Sequence, residues 1–523
     1  MNATFRHIKI TFDLKTFALG LGLILGGFVR LEPVLSAAFP LKDGGLFFTF
    51  IDQIQQNQFS LPHAIAYNGL TIPFAYPPLS FYVSAFISSL FNISTIELLK
   101  FLPAIFSILT IPVFYFFAST ILESERQVCF AVISFALLPT AIDFMIVGGG
   151  LPRSLGYVFA ILALQQTWRL FTQSHRRHLI WSVFWTGLTI LSHPVVAKFL
   201  VYSSVLIFLF KGRTRKGFTN LLGIAVGAAL LTSPWWLLVI SRHGIAPYLN
   251  AIQAAPQSWV SYLAVFLFMQ TNEPYLHIQG ILALFGIFAC LNSRKFFLPA
   301  WMGSVFLLEP RLVASYAIIP TALLAAAGID TLVTSMNSKI NKDCDISNEY
   351  LKPPKENANL TLVSKFMLGF FLIYGLVSAY ISAPRQYLSA ENIAAMTWIK
   401  NHVPAGSNFL VISGINGAGE DYISEWFPAL SGSASLATPQ GWEWLSSIHF
   451  ITLWKNHDLL PSCTQNEADC LEYWAIDNQV RFKYVYLDKS SAKMKFLNKS
   501  LKEQGYKSVF DNSGVIIFYS AHQ

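Results

Sequence analysis

Long apolar runs separated by short polar turns fill most of the first 383 residues. A membrane-spanning helix needs about 20 mostly apolar residues. Runs of that kind cover 15–35, 96–122, 128–146, 155–172, 179–193, 195–211, 218–240, 278–293, 296–309, 313–334 and 364–383. The pattern therefore predicts about eleven transmembrane helices. Segment 77–92, PPLSFYVSAFISSLFN, is shorter and opens on two prolines, which suits a helix lying along the membrane surface. From residue 384 the pattern changes. ENIAAMTWIKNHVPAGSNFLVIS reads as a helix, a Pro-Gly turn and a buried strand. RFKYVYLD reads as another strand, and SLKEQGYKSVFDNSGVIIFYS as helix, strand, turn and strand. At about 140 residues this stretch is large enough for its own core, and it is expected to be a small α/β domain.

Charge placement orients the chain. The turns at His175-Arg176-Arg177-His178, Lys211–Lys216 and Ser293-Arg294-Lys295 follow alternate spans, and Arg6, Lys9 and Lys15 precede the first. Positive charge marks the cytoplasmic side. All four agree if 77–92 does not cross. Residues 36–95 then form one large outer loop, 335–363 is a polar cytoplasmic loop, and 384–523 lies outside. The first span has no clean small-x-small cleavage site and reads as a retained helix. The expected location is the inner (plasma) membrane, multi-pass, with a cytoplasmic N-terminus and an extracytoplasmic C-terminal domain.

Composition agrees: 54% of residues are hydrophobic and 12% charged, against about 25% charged in soluble domains. The net charge of +8 fits topology-setting loops. No basic block with interleaved aromatics points to nucleic acid. Cys129 and Cys290 fall in apolar runs and read as packing residues, and Cys344 in the polar loop. Cys463 and Cys470 could pair if their domain is extracytoplasmic, though spacing alone leaves this open.

An acidic residue, Asp43, follows the first span in AFPLKDGGLFFTFID, and Tyr76-Pro77-Pro78 opens the surface helix. A carboxylate at the outer face of a polytopic body suggests chemistry on a lipid-linked substrate. With LLKFLPAIFSILTIPVFYFFA as second span and WIKNHVPAGSNFLV opening the outer domain, this layout resembles the GT-C class of integral membrane glycosyltransferases, bacterial type, in its protein mannosyltransferase and aminoarabinose transferase branch. The resemblance covers residues 1–383 in layout. It implies transfer of a sugar from a polyprenyl phosphate to a glycan, lipid or protein acceptor at the outer face, with inversion and with the loop Asp as general base. Many members carry an acidic pair at that Asp, whereas Asp43 is followed by Gly44-Gly45. No cofactor or metal is expected, since His63, His193, His243 and His277 lack ligand spacing.

Each candidate has a plainer alternative. Asp43 is the expected base, or a helix cap for GLFFTFIDQIQQ. Lys42 could hold phosphate, or snorkel to the interface. Asp52 could join the site, or be a solvated helix face. Arg153, after three glycines, suits phosphate or sugar recognition with Asp143 as partner, or starts a helix at headgroup level. Arg311 is the expected lipid-phosphate contact, or pairs with Glu309. His193 is a site residue or a cap before Pro194. Tyr76 lines the site or only shapes the loop-to-helix turn. Gln440–Trp444 could stack on carbohydrate or be core. Two other functions compete. A transporter or flippase would place charges within the bilayer, as Arg30 and Lys198 could be. A non-catalytic relative would bind glycan without transferring it.

Overall fold

The structure is a computed structural model that describes residues 14–254, 278–309, 313–344, 362–464, 468–490 and 494–520. Its N-terminal part is helical: α1 (Leu14–Ser36), α2 (Gly45–Gln56), α3 (Leu79–Phe91), α4 (Thr95–Ile121), α5 (Glu125–Leu137), α6 (Leu151–Gln173), α7 (Arg176–Ser192), α8 (Pro194–Lys211), α9 (Arg215–His243), α10 (Ala246–Gln253), α11 (Ile278–Asn292), α12 (Phe297–Leu308), α13 (Val313–Tyr316), α14 (Ile318–Cys344) and α15 (Leu362–Ser382). Six described helices are long and apolar enough to cross a membrane: α1, α4, α8, α9, the part of α14 over Ile318–Ser335, and the part of α15 over Lys365–Ser382. The 13 residues of α3 rise only about 20 Å, short of a bilayer core of about 30 Å.

Helix pairs α11–α14, α6–α7, α4–α6, α1–α5 and α5–α14 build the bundle. Lipid tails are as apolar as leucine, so close packing must hold such helices together. Glycines let α11 and α14 approach: a Cβ on Gly286 would lie 2.6 Å from the Leu324 carbonyl carbon, and one on Gly328 2.9 Å from the Gly286 nitrogen.

Two sequence expectations are corrected. The run expected to span 128–146 is α-helical only to Leu137; Pro139 cannot continue the hydrogen-bond ladder, and three 3-10 turns (Pro139–Ala141, Asp143–Met145, Gly148–Gly150) lead into α6. The polar loop expected from 335 instead begins as helix, because α14 runs through Cys344; residues 345–361 lie outside the described ones.

The loop between α2 and α3 also holds a hairpin, β1 (Ala64–Tyr67) and β2 (Leu70–Pro73), which the sequence reading did not place. Asn68 (φ 54°) and Gly69 (φ 71°) make its turn, the Asn-Gly pair that matches strand twist.

The C-terminal region comprises α16 (Ala390–His402), β3 (Asn408–Ile412), α17 (Tyr422–Ser431), β4 (Ala434–Ser435), α18 (Ser447–His457), α19 (Leu460–Cys463), α20 (Asp469–Asp477), β5 (Tyr484–Asp488), α21 (Met494–Glu503), β6 (Lys507–Asp511) and β7 (Val515–Tyr519). The five-stranded sheet runs β4-β3-β5-β7-β6, parallel at β4-β3 and β3-β5 and antiparallel at β5-β7 and β7-β6. A disulfide joins Cys463 to Cys470. This region packs directly on the α1–α2 loop. Trp426 meets Phe39 edge-on at 4.8 Å, and the Asn68 side chain bridges the hairpin to Ser435 by accepting its N–H at 2.7 Å.

Candidate functional site

Asp43 is held from two sides. Behind it lies the glycine turn before α6. The Gly148 N–H donates to the Leu41 carbonyl at 2.9 Å, and the Gly149 N–H donates to the Asp43 carbonyl at 2.9 Å and to its Oδ1 at 3.3 Å. A Cβ on Gly149 would fall 2.6 Å from Asp43 Cγ and 2.7 Å from Oδ1, so only glycine admits this approach. On the other side stands α17. Trp426 Nε1–H donates to the Lys42 carbonyl at 2.9 Å. Gly44, at φ 149°, caps α2 without a side chain of its own.

The missing cap is supplied by Glu425. Its Oε2 accepts the N–H groups of Gly44 (3.0 Å) and Gly45 (2.8 Å), and its Oε1 that of Leu46 (2.7 Å). These are orphan donors of a helix start, and a carboxylate there is favoured by the helix dipole. Glu425 is fully packed away, and Tyr67 donates its hydroxyl to the Glu425 carbonyl at 2.6 Å. Burial first, and the like charge of Asp43 second, push its carboxyl up to about 7 against the three N–H bonds. The folded protein therefore binds a proton that the unfolded chain releases between about pH 4.5 and about 7, and this group's contribution makes stability fall as pH rises through that window. Glu425→Gln should flatten the pH dependence of the thermal unfolding midpoint there; an unchanged slope would remove Glu425 as its source.

Burial also raises the Asp43 carboxyl, outweighing Arg153, the Gly149 N–H and Lys42. A half-buried carboxylate of this kind is a better base than a solvated one.

The two nearby cations differ. Lys42 is already paired, with Asp143 at 3.4 Å and Glu420 at 3.0 Å. Burial works against its charge, and the two carboxylates win, holding its pKa above the usual lysine value. Arg153 has no carboxylate within ion-pair distance among the described residues. Asp143, its expected partner, is bonded to Lys42 instead. Arg153 donates from Nη1 to the Phe144 carbonyl at 3.1 Å and lies over the Phe144 ring at 5.5 Å, while its buried Nε has no hydrogen-bond partner among the described residues. An unpaired cation at a partly buried position carries a desolvation cost that an incoming anion offsets.

Tyr76 and His193 stand on the same cluster, with ring centroids 6.3 Å apart. Both lie within the electrostatic reach of Arg153. Tyr76 also meets Phe47 at 5.3 Å and Trp444 at 5.8 Å. His193 Nδ1 accepts the Val196 N–H at 3.2 Å, so it caps α8 as well. The Gln440–Trp444 turn adds Glu443, whose carboxyl burial raises to about 7.

Other expected residues fall elsewhere. Asp52 lies along α2 and accepts from Gln56 at 2.6 Å, facing Lys400 rather than Arg153. Arg311 and His277 lie outside the described residues. Glu309, expected to pair with Arg311, binds Lys198 at 3.0 Å. Arg30 is tied to Ser107 Oγ (3.0 Å) and to the Gly26 and Ala136 carbonyls (2.9 and 2.7 Å). No three His, Cys, Asp or Glu side chains converge as a metal-ligand set among the described residues. Sequence reasoning missed Glu425 and Glu420, which reach the site from the far end of the chain, and weighed the Gln440–Trp444 turn for its rings and not for Glu443.

No family model and no curated protein matches the sequence. Solved structures do match. The archaeal oligosaccharyltransferase AglB from Archaeoglobus fulgidus aligns with a TM-score of 0.55 and 13% identity over 97% of this chain and 74% of its own. ArnT from Cupriavidus metallidurans aligns with a TM-score of 0.51 and 13% identity over 96% of this chain and 97% of its own. The arabinofuranosyltransferase AftD from Mycobacteria aligns at 0.51 and 13% identity over 97% of this chain but 41% of its own. Identities this low speak to the fold alone: the chain has the fold of the GT-C glycosyltransferases.

Proposed function

We propose that the protein is a membrane glycosyltransferase that moves a sugar from a polyprenyl-phosphate donor to an acceptor at the extracytoplasmic face. The observation that carries the reading is a half-buried carboxylate, Asp43, within the electrostatic reach of Arg153, a guanidinium with no carboxylate at ion-pair distance among the described residues. In an inverting displacement, Asp43 takes the acceptor proton as the acceptor atom bonds the anomeric carbon. The bond from that carbon to the phosphate oxygen breaks, and its electron pair leaves with the phosphate. Arg153, with Arg311 as second contact, offsets the charge that develops there. Tyr76 and His193 stand beside each other within the reach of Arg153. The AglB structure that this chain resembles holds an inhibitory peptide and a dolichol-phosphate, which supports a lipid-phosphate carrier and a separate acceptor.

Orientation follows from charge. The 23 residues of α6 carry the chain about 35 Å from the Asp43 end to the Arg176-Arg177 turn. The turns at Lys211–Lys216 and Arg294-Lys295 lie at that same far end, so it is assigned to the cytoplasm. The C-terminal α/β region, on the Asp43 side and carrying the Cys463–Cys470 disulfide, belongs to an oxidising compartment.

The test is turnover by the full-length protein in phospholipid nanodiscs. A panel of undecaprenyl-phosphate sugars is offered with mixed acceptors, and released undecaprenyl phosphate is read. Release with one donor supports the reading; its absence with every donor, from folded protein, argues against it. Because the reading assigns no metal, EDTA should leave turnover within about twofold, and a loss restored by Mg²⁺ or Mn²⁺ would correct that assignment.

A further inference from the structure

The loop that carries Asp43 has two supports of different origin, one on Asp43 itself and one on its neighbours Lys42, Gly44, Gly45 and Leu46. The glycine turn belongs to the membrane bundle. The other support comes from α17 and the turn just before it, across more than 380 residues of sequence in the case of Gly44. It consists of the three N–H bonds to Glu425, the Trp426 N–H bond to the Lys42 carbonyl, and Glu420 on the Lys42 ammonium. The fit is close on the backbone as well. A Cβ on Gly45 would lie 2.9 Å from Trp426 Cα, and one on Gly44 2.9 Å from Trp426 Cζ2.

The α17 helix is itself fixed from the rest of its region. Asp421 caps it by accepting the Ser424 N–H at 3.0 Å. The Asp421 Oδ2 also accepts from Ser413 Oγ and Ser424 Oγ, each at 2.7 Å, and meets His457 Nε2 at 2.8 Å. Asp421 and His457 are both buried. The chain of contacts thus runs from Ser413, just after β3, and from His457 of α18 through Asp421 to Glu425, and from there to the loop carrying Asp43.

We infer that Glu425 is a positioning residue through which the C-terminal region sets the place and direction of the Asp43 carboxylate, so that this region is part of the machinery and not only a cover. The inference rests on the proposed role of Asp43. A loop between two supports keeps one geometry. With Glu425 removed, Gly44 (which allows many backbone conformations) frees the segment, three helix-start donors lose their acceptor, and Asp43 gains access to water.

The test reads the loop without relying on turnover. In full-length protein in nanodiscs, hydrogen exchange is followed over residues 41–48, and labelling of Asp43 by dicyclohexylcarbodiimide, which reacts with the protonated carboxyl, is titrated against pH. Glu425→Ala is expected to speed exchange at Gly44, Gly45 and Leu46 at least tenfold. It should also move the labelling midpoint of Asp43 to lower pH, because both loss of burial and loss of the neighbouring acid favour ionisation. Glu425→Gln, which keeps one acceptor oxygen, should fall between. Trp426→Phe keeps an aromatic side chain but removes the Nε1–H bond to the Lys42 carbonyl and the indole edge beside Gly44, and should shift the same Asp43 midpoint; it serves where Glu425→Ala does not fold. Unchanged exchange, or faster exchange with an unmoved Asp43 midpoint, overturns the inference. Wild-type protein without turnover but with these shifts would sink only the enzymatic reading.

Discussion

Asp43→Asn is expected to lower turnover by about 10²- to 10⁴-fold, the usual worth of a positioned general base. The substitution is close to isosteric. The amide oxygen can still accept the Gly149 N–H that Oδ1 accepts at 3.3 Å, and burial favours a neutral group. Folding and donor binding should therefore survive, and the loss should fall on kcat. Wild-type turnover should rise with pH through a value above the ordinary aspartate range, because burial raises the Asp43 carboxyl and only the ionised form accepts a proton. The residual activity of the Asn variant should lack that limb. Turnover within tenfold of wild type, with the limb intact, would remove Asp43 as the base.

The bundle was largely legible because a bilayer imposes its own length on apolar runs. The candidate site could be picked out where its signals are local: a charged residue just after a span, and three glycines before an arginine. What could not be read depends on contacts across the chain. Glu425 lies in SEWFPALS, where one acid among apolar residues looks like the wet edge of a helix. Nothing near Gly44 says that its helix is capped from residue 425, since local capping rules look for a side chain at the cap itself. The same holds for Lys42, whose partners Asp143 and Glu420 could not be ranked from spacing. The break after Leu137 was harder still. ALLPTAIDFMIVGGG is apolar enough to pass for the end of a span, and only its Pro139 and triple glycine mark where the ladder stops. The Asn68-Gly69 hairpin, by contrast, had a local signal that the apolar pattern overshadowed.

Gly149→Ala tests the other support of Asp43 and should cost nearly as much as removing the carboxylate. The added methyl would lie 2.6 Å from Asp43 Cγ and 2.7 Å from Oδ1, well inside contact distance, and closer still to Oδ2. Two things can yield: the 3-10 turn Gly148–Gly150 or the aspartate. The turn is anchored by Gly148 N–H on the Leu41 carbonyl and Gly150 N–H on the Val147 carbonyl, so the carboxylate is expected to swing away. A displacement near 1 Å at a reacting group can cost about 10²-fold, and kcat should fall by that order. Arg153 begins four residues further on within α6 and is bonded to the Phe144 carbonyl, so KM for the donor should change little. Gly27→Ala is the matched control, since a Cβ there meets nothing within 4 Å and alanine favours helix; it should retain full turnover. A Gly149→Ala protein with kcat within about threefold of wild type would mean that the carboxylate reaches its acceptor from a second position, and that the glycine turn does not determine where the base sits.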